Sequence, residues 1–290
     1  MSSATTSARR LAIVGSLVCA FFMSWPRAQQ AGSSAAPGDN ELPFRSGSDD
    51  GPEVRDPRAE QILDQMIQAH GGEKAITARQ TIFIKYRITN FSYPEPLVGT
   101  LTVWFKRPDF FRRETAYPDK KQVVIFDGEH AWVDDGKGPE ELGPVSSSIV
   151  KRGIDELDSP LLYKQGSLKY LSVAKDPLGR LTEKLSWRHE GYARDLMVQT
   201  DTNRLLVVGS FDTPAGAISR MQVFDDYKSV DGVLVPYKKQ VFINNQRYSV
   251  TEVVDVKFNE EIDSALFHPD ASEGHKPDEG AGSAVAASPR

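Results

Sequence analysis

Cysteine is almost absent from the sequence, and this absence limits the chemistry that we expect. Cys19 is the only cysteine among 290 residues, and it lies inside an apolar run near the start of the chain. If that run is removed as a secretory signal, the remaining chain has no thiol for a disulfide or a structural zinc site. Such an exported protein must be stabilised by its own hydrophobic core.

A surplus of positive charge is also missing. The formal net charge is −5 and the sequence pI is about 5.6. Binding to phosphate backbones requires clustered positive charge, so we expect no nucleic acid as a partner.

Recognisable catalytic and metal-binding patterns are absent as well. The sequence contains neither a Gly-x-Ser-x-Gly elbow nor a phosphate-binding loop. No two of the histidines have the spacing of metal ligands; they are His70, His130, His189, His268 and His275. We therefore expect no metal, no cofactor and no enzyme activity, and binding is the favoured class of function. A hydrolase with an unrecognised site is an alternative.

The first 28 residues have the pattern of a secretory signal. Arg9 and Arg10 precede an apolar run at 11–25, and small and polar residues follow. The run is shorter than the roughly 20 residues that a membrane span needs. We predict a signal peptide at 1–28, with cleavage after Ala28 or Ala31; an uncleaved anchor is the alternative.

Two segments have compositions that favour disorder. Residues 29–56 and 271–290 are rich in Gly, Ser, Ala, Pro and acidic residues and contain little to bury. We predict a linker, a single folded domain at 57–270, and a tail.

The folded part begins with helical periodicity. Asp56 and Pro57 suit a helix start, the apolar residues that follow fall on one face, and Gly71 suits its end. A second short helix is predicted at 73–80. Residues 138–168 have no period of two, and we expect loop and helix there.

After the helices, apolar residues recur at every second position, which predicts ten or so strands joined by short turns. These segments are 81–91, 97–107, 110–117, 121–126, 130–135, 181–190, 193–200, 204–211, 218–227, 233–244 and 248–259. An antiparallel sheet of this size must curl or close to protect its edges. The predicted fold is α+β and mainly antiparallel β: an open, incomplete β-barrel with the N-terminal helices as plug or lid.

The stretch TVWFKRPDFFRRETAYP, at 102–118, places aromatic residues beside several cations. Strand alternation puts Leu101, Val103, Phe105 and Arg107 on one face, so that Arg107 ends an apolar row. Its guanidinium could reach carbonyl groups at a helix end. The alternative is a solvated residue at the rim.

The same alternation predicts a continuous apolar wall that could line a ligand cavity. Its residues on the strands are Ile82, Ile84, Tyr86, Leu101, Val103 and Phe105, and those on the helical plug are Ile62, Met66 and Ile67. Ordinary core packing is the alternative for each of them.

The 102–118 stretch, followed by DGEHAWVDD, resembles the LolA/LolB-type periplasmic lipoprotein carriers. The common pattern is an aromatic strand, Lys-Arg-Pro, a second aromatic strand, and an Asp-Gly hairpin with tryptophan. The resemblance extends over about 57–270, and it implies an open barrel with a helical lid. It also implies that Arg107 latches the lid by hydrogen bonds to backbone and that Phe111 lines an acyl-binding cavity.

The function that the resemblance implies is non-catalytic binding of a hydrophobic ligand in the periplasm. The partners would be acylated lipoprotein or lipid, with an inner-membrane transporter or outer-membrane acceptor, and the protein would be a monomer. Arg112 and Arg113, the long linker and the tail depart from the carrier pattern. The alternative is a sensor or interaction domain that uses the same cleft and is tethered to the inner membrane by an uncleaved anchor.

Overall fold

The structure, a computed structural model, describes residues 53–190, 192–211 and 219–270. The predicted signal peptide, most of the linker and the tail at 271–290 lie outside the described residues. The described part contains one sheet of 13 strands. The strands are β1 (Thr81–Asn90), β2 (Leu97–Lys106), β3 (Phe110–Tyr117), β4 (Lys120–Asp127), β5 (Ala131–Asp134), β6 (Glu140–Glu141), β7 (Ser167–Lys175), β8 (Leu181–His189), β9 (Tyr192–Gln199), β10 (Leu205–Phe211), β11 (Ser219–Val230), β12 (Val233–Ile243) and β13 (Gln246–Phe258).

The sheet consists of two meanders joined through its first and last strands. Its order is β6-β5-β4-β3-β2-β1-β13-β12-β11-β10-β9-β8-β7, and all neighbours are antiparallel. Strands β6 and β7 are the two edges, so the sheet is open, as the sequence predicted. The chain passes from one edge to the other through residues 144–164, which we call the crossing segment.

The described residues form three α-helices that lie against the sheet: α1 (Pro57–Ala69), α2 (Gly72–Thr77) and α3 (Pro144–Asp155). The predicted start of α1 is confirmed, because the Asp56 carboxylate accepts hydrogen bonds from the backbone N–H groups of Arg58 and Ala59. The crossing segment comprises α3 and two 3₁₀ helices, Glu156–Asp158 and Leu161–Lys164. None of the described helices has the length and apolar character needed to cross a membrane.

The helices cover one face of the sheet, which we call the inner face, and the core beneath them divides into two clusters. In the N-half cluster, α2 and α3 pack on β1–β5 and on parts of β12 and β13. In the C-half cluster, α1 packs on β7–β10. Leu161 of the crossing segment contacts both clusters. The helices therefore act as a cover over both halves of the sheet.

The predicted strand number was too low, because β6 and β7 were missed. Strand β6 is only two residues long, and both are exposed. In β7 a bulge between Tyr170 and Ser172 interrupts the alternation, and Leu171 and Val173 are exposed. A bulge adds one residue to a strand and so shifts the face of every residue after it. The period of two was therefore lost in this segment.

Candidate functional site

The predicted apolar row on the first three strands lies on the inner face. Ile82 is opposite Phe105, Ile84 is opposite Val103, and Phe105 is opposite Phe111 in the register of the sheet. All five side chains are buried in the N-half cluster. They form the surface that α2 and α3 cover.

The structure does not bring all the predicted cavity residues together. Ile62, Met66 and Ile67 of α1 belong to the C-half cluster, on the other half of the sheet. Tyr86 packs against the N-half cluster, and Leu101, opposite Tyr86, is half-buried. Alternation identifies the face on which a side chain lies, but not which half of a long sheet a helix will cover.

Arg107 contacts both helical parts of the cover. Its Nε donates to the backbone carbonyl of Arg79, just beyond α2, at 2.8 Å. Its Nη2 donates to Asp158 Oδ1, in the crossing segment, at 2.7 Å. One guanidinium at the end of β2 thus joins the sheet to two separate helical elements.

Two partners of Arg107 were missed by sequence reasoning. Arg79 donates from Nη2 to the carbonyl of Leu157 at 3.0 Å and to Asp158 Oδ1 at 3.3 Å. Burial lowers the pKa of Arg79, and the charge of Asp158 opposes that effect. We call Arg79, Arg107 and Asp158 the rim ion cluster. Asp158 lies in a stretch without periodicity, so no sequence pattern marked it.

A second group of charges also lies on the inner face. Glu156 of the crossing segment accepts a hydrogen bond at 2.7 Å from Arg194 of β9, on the opposite half of the sheet from Arg107. Burial alone would raise the pKa of Glu156, but the positive charges of Arg194, Arg220 and Lys239 hold that pKa below its usual value. Sequence reasoning also missed this group, because its members come from four elements.

Glu156 and Tyr86 are both desolvated beneath the cover. Burial raises the pKa of Tyr86 well above its ordinary value, yet the residue is only half-buried by surface area. Glu156 is likewise desolvated, while 25% of its side-chain surface remains accessible. Both side chains are therefore surrounded by protein while part of their surface stays accessible.

The outer face explains why cations accompany the aromatic residues at 102–118. Arg112 is 1% exposed, and it donates to the carbonyl of Leu266 and to the carboxylate of Glu114. The 3₁₀ helix Ser264–Phe267 packs there beside Trp104. Burial would raise the pKa of Glu114, but Lys121 and Arg112 lower it. Arg112 thus anchors the C-terminal segment and takes no part in the inner face.

The described residues contain no group of three or more side chains suited to bind a metal ion. The charged groups on the inner face instead form ion pairs and hydrogen bonds that join separate elements. The arrangement is therefore suited to positioning a cover over an apolar surface.

Comparison with known proteins gives matches among solved structures only. No family model and no curated protein matches the chain. It is similar to a DUF1329 family protein from Desulfovibrio piger, with 12% identity and a TM-score of 0.53; the match covers 73% of this chain and 98% of that one. At this identity the likeness shows a shared fold.

Two other solved structures match over the same share of each chain, 73% of this chain and 98% of theirs. One is an outer membrane lipoprotein-sorting protein domain from Vibrio parahaemolyticus, with 13% identity and a TM-score of 0.48. The other is a LolA superfamily protein from Nitrosomonas europaea, with 13% identity and a TM-score of 0.49.

Proposed function

We propose that the inner face beneath α2 and the crossing segment binds the acyl chain of a lipid or a lipid-modified protein, without covalent chemistry. The observation that carries this proposal is the attachment of the cover. Two helical elements from distant parts of the chain lie on an apolar face and are joined at its rim by the rim ion cluster. A cover attached at its edge by a few polar contacts can open while the sheet stays intact.

The apolar side chains under the cover suit an acyl chain. Phe105, Phe111 and Val103 present contiguous apolar surface, and the desolvated hydroxyl of Tyr86 lies on the same face. Ligand pockets are commonly apolar with a small number of polar groups that fix orientation. In this proposal the predicted wall residues of β1–β3 contact the chain, whereas Ile62, Met66 and Ile67 hold α1 on the C-half cluster.

The cargo and location in this proposal follow the sequence resemblance. The protein is exported to the periplasm and carries lipid or acylated lipoprotein as a monomer. An inner-membrane transporter or an outer-membrane acceptor is its partner in exchange.

The test is release of a fluorescent acyl probe from protein purified without detergent. The wild-type protein should bind a dansyl-labelled undecanoic acid saturably, and the probe should be released by competition with unlabelled fatty acid. In Arg107→Leu, loss of the bonds to Arg79 and Asp158 should speed release about tenfold, the equivalent of about 1.4 kcal/mol.

Lys106→Met is the matched control, because Lys106 is the neighbour of Arg107 and donates to Ser264 on the outer face. It should release the probe at the wild-type rate. If Arg107→Leu also releases the probe at that rate, Arg107 is not a latch. If the wild-type protein shows no saturable binding, the proposed function is wrong.

A further inference from the structure

A cluster of opposite charges lies on the inner face, away from the predicted apolar wall. Its members are Glu156 of the crossing segment, Arg194 of β9, Arg220 of β11 and Lys239 of β12. We call it the interior charge cluster. In the sheet register Ser210 is opposite both Arg194 and Arg220, so these two arginines share a face on either side of β10.

The interior charge cluster contains three cations and one carboxylate. Arg194 Nη2 and Glu156 Oε1 are 2.7 Å apart, and the Arg194 side chain is 9% exposed. Glu156 is also close enough to Arg220 and Lys239 for both to stabilise its charge. The carboxylate of the cover thus lies among three cationic side chains of the sheet.

Buried neutral polar groups surround this position. Ser210 and Gln222 are each 4% exposed. Thr251, opposite Lys239 in the register, is also 4% exposed, and its Oγ1 has no hydrogen-bond partner among the described residues. A buried hydroxyl that is left unpaired costs free energy. This one is available to a bound group.

Apolar surface adjoins the charges. Phe224 is opposite Lys239 on the same face and packs against the C-half cluster. Glu156 keeps a quarter of its side-chain surface accessible although it is desolvated. Positively charged side chains next to an apolar surface form the arrangement that an anionic amphiphile requires.

We propose that the interior charge cluster binds the anionic headgroup of the acyl ligand, a carboxylate or a phosphate, and that Glu156 takes the place of this anion when no ligand is bound. This inference rests on the proposed function and specifies its ligand class. The headgroup replaces Glu156 as the partner of Arg194, so that binding frees the crossing segment from inside while the rim ion cluster holds it outside.

The test compares ligands that share one chain and differ in the headgroup. Dodecanoate, dodecyl phosphate and dodecanol, each below its critical micelle concentration, compete for the site with the neutral probe N-phenyl-1-naphthylamine. Both anionic ligands should bind at least about tenfold more tightly than dodecanol. Inorganic phosphate alone should not displace the probe.

Variants then assign the preference to the cluster. Lys239→Gln, and separately Arg220→Gln, should reduce the preference for the anionic ligands to less than about threefold. Glu156→Gln should increase it, because the competing carboxylate is removed. Lys238→Gln is the matched control, since Lys238 precedes Lys239, lies on the outer face and is opposite Glu252. It should keep the full preference.

The outcomes separate this inference from the function on which it rests. Equal affinity for dodecanol and both anions would overturn the headgroup site and leave acyl binding in place. Failure of all three ligands to displace the probe would overturn both. Displacement by inorganic phosphate at the concentrations that suffice for dodecyl phosphate would mean a free-anion site and would also overturn the inference.

Discussion

At the scale of the residue, His70, at the end of α1, makes the stability of the protein depend on pH. Its Nδ1–H donates to the carbonyl of Met66 at 2.8 Å, and its ring contacts Tyr227 edge-on. Burial lowers the pKa of His70 below the usual 6.5, and the charge of Arg204 acts in the same direction against the Met66 hydrogen bond. The unfolded chain therefore binds a proton at a higher pH than the folded protein does.

The expected result is a loss of stability between about pH 7 and pH 5, with a slope of up to about 1.4 kcal/mol per pH unit from this residue. The free energy of unfolding by urea, measured across this range, checks it. His70→Asn keeps a donor for Met66 but cannot be protonated. Its free energy of unfolding should therefore change less with pH than that of the wild type. Identical slopes for wild type and variant would contradict this role.

Arg112 is the residue whose removal should cost most on the outer face. Removing one partner of a buried ion pair destabilises a protein by about 3–5 kcal/mol. Arg112→Met should lower the free energy of unfolding by about 3 kcal/mol, at the lower end of this range, since Lys121 would still pair with Glu114. Urea unfolding followed by circular dichroism measures this. Arg87→Met, at an exposed position of β1, should change the free energy of unfolding little, and an equal loss in both variants would refute the account.

At the scale of the element, α1 is positioned by a close backbone contact. Gly71 has φ +113°, and a Cβ there would lie 2.3 Å from the carbonyl oxygen of Gly232 in the β11–β12 turn. The N–H of Leu234 donates to the carbonyl of His70 beside it, at 3.1 Å. The sequence marked Gly71 as the end of a helix, but not as the point where α1 contacts the sheet.

Two glycine substitutions should therefore have opposite effects. Gly71→Ala should destabilise the protein by about 2 kcal/mol or more, because of the positive φ and the backbone clash. Gly153→Ala, in α3, meets nothing within 4 Å and should stabilise by about 0.5 kcal/mol. Thermal unfolding of both variants measures the contrast. A Gly71→Ala protein with wild-type stability would disprove the contact.

Most elements could be predicted from the sequence because their signals are local. Strands β1–β4 and the capped start of α1 follow from alternation and from Asp56-Pro57. The crossing segment was expected only as loop and helix, since the position of α3 depends on apolar side chains such as Val150 and Ile154 reaching the sheet. That contact joins residues that are far apart in the sequence, so no regular spacing of apolar residues marks it.

At the scale of the whole molecule, the pairing of β1 with β13 determines the site. It joins residues such as Ile84 and Val256, which are far apart in sequence, and turns two meanders into one sheet. Alternation could place Ile84 on a face but could not indicate this partner strand. For the same reason it could not bring Arg194 of β9 to Glu156, so the interior charge cluster became visible only in the folded chain.

The division of the core into two clusters follows from the same topology. Helix α1 covers the half of the sheet formed by β7–β10, and α2 with α3 covers the half formed by β1–β5. The two clusters are connected through the crossing segment, because Tyr163 is buried in the C-half cluster with α1 while Val150 and Ile154 are buried in the N-half cluster.

The most direct test of acyl binding on the inner face is photo-crosslinking with a fatty acid that carries a diazirine near its methyl end. Mass spectrometry of the digested complex then identifies the modified residues. If the inner face binds acyl chains, labels are expected on the inner-face row of β1–β3, such as Val103 and Phe105, and on α3, and unlabelled fatty acid should reduce them. Labels confined to outer-face residues such as Trp104, or labelling that unlabelled ligand does not reduce, would contradict it.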